Sequence, residues 1–139
     1  MPQYSDAQKA QLIGAWTKDL NTFLEKVEAW ARDLGWKTER TSKDVEEEPL
    51  GKYSAPVLVV YPSAGKRLTL EPTARIVTGA PGRIDLYAWP TLYRVMLLRK
   101  GKDESPSDDW DVRTESGYTL PNAFSKELFH DLADQMLAA

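Results

Sequence analysis

The chain has 139 residues, 42% hydrophobic and 28% charged, with no cysteine and a formal charge of −3. A chain of this size folds as one ordinary domain that buries about 68% of its unfolded surface, so a single α+β domain spanning 1–139 is expected. The missing cysteines exclude disulfides, thiolate nucleophiles, iron–sulfur clusters and cysteine-ligated zinc. No apolar run approaches the ~18 residues of a membrane span. The start, Met1 to Asp6, lacks the basic and apolar regions of a secretory signal, which makes the cytoplasm the expected location.

The charge is unevenly distributed. Residues 66–102 carry eight basic residues against two acids, whereas residues 103–139 carry two against nine. A basic sheet region and an acidic C-terminal part can neutralise each other within one molecule or attract a second copy.

The first predicted element is a long amphipathic helix over residues 6–34. Ser5 and Gln8 have capping-box spacing, and Ile13, Trp16, Leu20, Phe23, Leu24, Val27, Ala31 and Leu34 recur every three or four residues. Gly35 is a suitable stop, Gly14 a weak point, and Trp30 sits at the edge of the stripe. Residues 36–41 read as an edge strand or loop, and the polar stretch 43–52 with its Glu46-Glu47-Glu48-Pro49 run as a solvated acidic loop. Val57 to Tyr61 is continuously apolar and β-branched, as in a strand buried on both sides.

After the Pro62-Ser63-Ala64-Gly65 turn, residues 67–77 alternate without a break. Leu68, Leu70, Pro72, Ala74 and Ile76 take one side, and Arg67, Thr69, Glu71, Thr73 and Arg75 the other. Pro72 cannot donate to a ladder, so a bulge or a sheet edge is expected there. Beyond Gly79-Ala80-Pro81-Gly82 the pattern resumes, with Ile84, Leu86 and Ala88 facing inward and Arg83, Asp85, Tyr87 and Trp89 outward. A further strand covers 93–99, residues 101–109 read as a mobile polar loop, and Trp110, Val112 and Thr114 form a short last strand. The closing helix has Ser125 as N-cap, Phe124 and Phe129 as a hydrophobic staple, and Leu128, Leu132, Ala133, Met136 and Leu137 as its stripe.

This order predicts a two-layer α+β sandwich. An antiparallel meander of five or six strands carries both helices on one face and leaves the other free. On that free face the candidate partner-binding residues are Arg75, Arg83, Asp85, Tyr87 and Trp89, with Asp85 orienting Arg83; Trp, Tyr and Arg dominate interface hot spots. The competing bland arrangement tucks Trp89 under the 43–52 or 101–109 loop.

The reading is a non-enzymatic protein-interaction module or accessory subunit, with no cofactor, no metal and no membrane partner. A single-stranded nucleic-acid binder using the same basic aromatic face is the alternative, although the acidic C-terminal part would repel a polyanion. A metal-dependent hydrolase around Glu71 and Asp85 ranks third. The scattered acids and lysines are loosely similar to the restriction-type nuclease core, but Leu98-Arg99-Lys100 stands where that family places an acidic residue two before a lysine. His130 falls away from the helix stripe with Asp134 one turn on, a surface arrangement. Gly79-x-x-Gly82 precedes a strand and so serves a turn, not a phosphate.

Overall fold

A computed structural model describes residues 3–138. Met1 and Pro2, part of the start read above as leaderless, and Ala139 lie outside the described residues. Helix α1 spans Asp6–Asp33 without a break at Gly14. Its capping box is formed in both directions: Gln8 N donates to Ser5 Oγ at 3.1 Å and Ser5 N to Gln8 Oε1 at 2.8 Å. At the other end Gly35 takes φ 77°, the left-handed geometry that closes a helix at least cost to glycine. No helix among the described residues is long and apolar enough to cross a membrane.

Six strands follow in sequence order in one open antiparallel sheet: β1 (Lys37–Glu47), β2 (Gly51–Ser63), β3 (Lys66–Ala74), β4 (Arg83–Trp89), β5 (Arg94–Lys102) and β6 (Ser105–Thr114). Helix α2 (Lys126–Leu137) closes the described chain. Both helices lie on the face built by Leu58, Val60, Leu68, Leu70, Ile84, Leu86, Ala88, Leu97 and Val112, all sealed from solvent. Trp16, Leu20, Leu24 and Val27 of α1 and Phe129, Leu132 and Met136 of α2 complete that core. The staple is present as an edge-on Phe124–Phe129 contact with ring centres 5.9 Å apart, and the same aromatic seam joins the helices through Trp30.

Two expected loops are strands. The charged stretch 43–52 continues β1 to Glu47, turns tightly, and re-enters β2 at Gly51. Burial switches side along this ribbon: Val60 and Leu58 are sealed near its base, but Val57, Ala55, Val45 and Glu47 are the buried positions toward its tip. Residues 101–109 likewise form the tip of the β5–β6 hairpin, with Lys102 opposite Ser105. In both cases antiparallel pairing overrides a polar composition, because ladder bonds need the backbone and not the side chains.

The two sheet margins differ. The segment after β6 runs back along it: Thr114 N donates to Tyr118 O, Leu120 N to Val112 O and Phe124 N to Trp110 O, each at 2.8 Å. Among the described residues strand β1 has no neighbour on its outer side, and its sequence, with seven charged residues in eleven, discourages stray pairing.

Pro72 produces the expected irregularity. The β3–β4 register slips between Pro72 and Ala74, so the alternation ends there. The chain then passes under α1, where Gly82 at φ 151° touches the Trp16 ring; a Cβ at that position would sit 2.6 Å from two ring carbons. We therefore expect Gly82→Ala to lower stability by about 2 kcal/mol through overpacking and backbone strain, measured as a fall in the urea midpoint; an unchanged midpoint would contradict this packing.

Candidate functional site

Strand β4 sets the geometry of the uncovered sheet face. With Ile84, Leu86 and Ala88 sealed inward, Arg83, Asp85, Tyr87 and Trp89 emerge on the opposite side. Glu71 of β3 stands directly across from Asp85, and Arg67 across from Trp89.

Adjacent like charges are unfavourable in a sheet, and each of the two carboxylates is held by bases. Asp85, 7% exposed, accepts from Arg83 Nε at 2.8 Å and Arg94 Nη1 at 3.0 Å. Glu71 accepts from Lys43 Nζ at 2.7 Å and Tyr87 Oη at 2.8 Å. Burial would raise the Glu71 carboxyl, but the bonds from Lys43 and Tyr87, with the charges of Lys43 and Arg94, hold it below its ordinary value. Tyr87 shifts the other way: burial, then the Glu71 carboxylate it donates to, raises its phenol. Among the described residues no group of three or more His, Asp or Glu could hold a metal ion.

The aromatic rings carry guanidinium partners. Arg94 lies over Tyr87 and Arg67 over Trp89, each 5.2 Å from the ring centre. Trp89 remains 46% exposed, so neither the 43–52 nor the 101–109 segment covers it.

At the same end of the sheet the chain turns through a cis Trp89–Pro90 bond, Thr91 and Leu92 into Tyr93. Thr91 Oγ1 donates to Met136 O of α2, and Leu92 N to Ala88 O at 3.0 Å, which fixes the turn. Leu92 and Tyr93 point into solvent at 64% and 58% exposure. Leu92 also holds φ 68°, the one non-glycine residue with positive φ among those described, a conformation that costs an L-residue roughly 1 to 2 kcal/mol. Tyr61, beside Arg67 on the same face, bonds Glu39 and is 37% exposed. Three of the five large exposed hydrophobic residues, Trp89, Leu92 and Tyr93, thus fall within five consecutive positions at this turn.

Arg75 is not part of this surface. Beyond the Pro72 bulge it turns away, is 4% exposed, and donates through Nη2 to Asp103 O at 2.8 Å. Its backbone N–H and that of Ile76 donate to Glu47 at 3.0 and 2.9 Å. Tyr53 Oη also donates to Glu47; burial first, then this carboxylate, raises the Tyr53 phenol. Glu47 therefore ties the ribbon tip to the chain after β3 and is not a solvated loop acid. Leu92 and Tyr93 were missed from the sequence because a left-handed leucine has no compositional signal. His130 is exposed, 3.8 Å from Asp134 and stacked on Trp36, as its phase implied.

The chain matches no known family model, no curated protein and no solved structure.

The Glu71–Tyr87 contact has a measurable consequence. The Glu71 pKa is lowered on folding, so its stabilisation is present above the unfolded carboxylate value and lost as pH falls through the folded one. Glu71→Gln should destabilise by less than about 1 kcal/mol at neutral pH, since the pair is partly exposed, with the difference vanishing in acid. In the same variant the Tyr87 phenolate, followed by ultraviolet absorbance, should appear at lower pH than in the parent. An unmoved phenolate titration would show that the two groups are not coupled.

Proposed function

We propose that this chain is a protein-interaction module that docks a partner protein through the 89–93 turn at one end of its sheet. The contact is centred on Trp89, Leu92 and Tyr93 and bordered by Tyr61, Arg67, Tyr87 and Arg94. The observation that carries the reading is Leu92. Its side chain is mostly in solvent and its backbone is in an unfavourable conformation, so it stabilises the fold less than a glycine would. Exposed Trp89 and Tyr93, close to Leu92 in the chain, are of the residue types that supply large, rigid contact area in binding hot spots.

The guanidinium groups of Arg67 and Arg94 beside the rings favour a partner whose apolar patch is edged with carboxylates. Asp85 and Arg83 belong to the support of this surface, since Asp85 is buried and fixes both Arg83 and Arg94. The same cation–ring contacts cover part of the faces on which bases would stack, which weighs against single-stranded nucleic acid.

A Trp89→Ser, Leu92→Gly double variant tests the reading. We expect its unfolding midpoint to equal or slightly exceed that of the parent, because the left-handed strain is relieved. Affinity capture quantified against the parent should lose at least tenfold of a specifically retained protein. Retention unchanged in the variant, or steeply salt-dependent binding to a single-stranded oligonucleotide, would overturn it.

A further inference from the structure

We propose that a second site, on the helix side of the sheet, takes a small amphipathic carboxylate. A cleft of about 600 Å³ opens between the first half of α1 and the tip of the β5–β6 hairpin, a volume within the usual range for small-molecule sites. Leu12, Ala15, Trp16 and Pro106 give it an apolar lining, and Arg75 and Arg99 stand in its wall.

The two arginines are the distinctive feature. Each side chain is only 5% exposed, which is rare for a charged residue. Arg99 Nε donates to Ser107 O at 2.6 Å and Nη2 to Asp19 at 3.0 Å. Arg75 binds only the hairpin turn, at Asp103 O and, through a stretched 3.5 Å contact, the Asp103 carboxylate. A guanidinium has five N–H donors, so both groups retain unused ones. Trp16 Nε1 is the only buried side-chain nitrogen or oxygen lacking a partner among the described residues; Arg75 Nε, which has no bond of its own, is therefore not sealed from solvent, and Arg75 lies in the cleft wall.

Carboxylates at the rim do not close the site. Asp19 is occupied by Arg99, whereas the Asp103 side chain is 69% exposed and free to swing outward. Glu104, exposed at the turn, is the one acid of the cleft with no cation within 4 Å among the described residues, and it restricts the site to ligands of low charge. A ligand carboxylate replacing that of Asp103 on Arg75 would gain a charge-assisted, two-point contact while its hydrocarbon part covers the Trp16 edge of the core.

Decanoate below micelle formation is a suitable probe, with decanol as its uncharged counterpart. Calorimetry should show saturable decanoate binding, and the Trp16 indole N–H should shift in the heteronuclear NMR spectrum. Decanol should bind at least tenfold more weakly. Arg75→Gln should weaken decanoate about tenfold. Asp103→Asn should tighten it several-fold by removing the internal competitor, an effect that a purely structural Arg75–Asp103 pair would not give. The Trp89→Ser, Leu92→Gly variant should bind decanoate normally, which separates this site from the sheet surface. No saturable binding, equal binding of decanol, weaker binding by Asp103→Asn, or shifts confined to Trp89 and Tyr93 would overturn the proposal.

Discussion

A strand has two sides, and in β4 one of them is wholly given to the core. Ile84, Leu86 and Ala88 are sealed beneath the helices, and a period of two leaves Asp85, Tyr87 and Trp89 no direction but outward. Every other feature of the open face follows: Glu71 is brought opposite Asp85 by register, the bases are drawn in to neutralise the pair, and Trp89 leads into the turn that exposes Leu92 and Tyr93. A slip of one position in this strand would exchange three sealed apolar groups for a carboxylate, a phenol and an indole.

Periodic features were readable from the residues alone. The α1 stripe, its capping box, the Ser125 cap, the phase of β3 and β4 and the disruption at Pro72 all rest on local rules that tertiary contacts reinforce here. Residues 43–52 and 101–109 were not readable, because a hairpin tip is held by its partner strand and by remote contacts such as Glu47 to the backbone of Arg75 and Ile76. No pattern in the acidic run distinguishes Glu47 from Glu46 or Glu48; only the fold brings two N–H groups and Tyr53 to it.

The arginines show the same division. Arg83 and Arg67 lie where alternation put them, but Arg75 was carried off the face by the bulge that Pro72 announced. Arg99 carries a signal in its phase: Val95, Leu97 and Arg99 share one parity in β5, which places a cation on the inner side at the point where α1 supplies Asp19. Buried cations with exposed counter-ions are costly as structure alone, and they concentrate at the end of the sheet where the helix does not fully cover it.

The unequal margins of the sheet bear on how molecules of this chain could associate through their backbones. With the stretch 110–114 of β6 already bonded to the returning segment, the longest margin open to hydrogen-bonded addition among the described residues is β1. Two copies joined there would cover each other's β1 and turn outward only β6 margins, half of whose length is already bonded, so strand addition favours a pair over an open-ended stack.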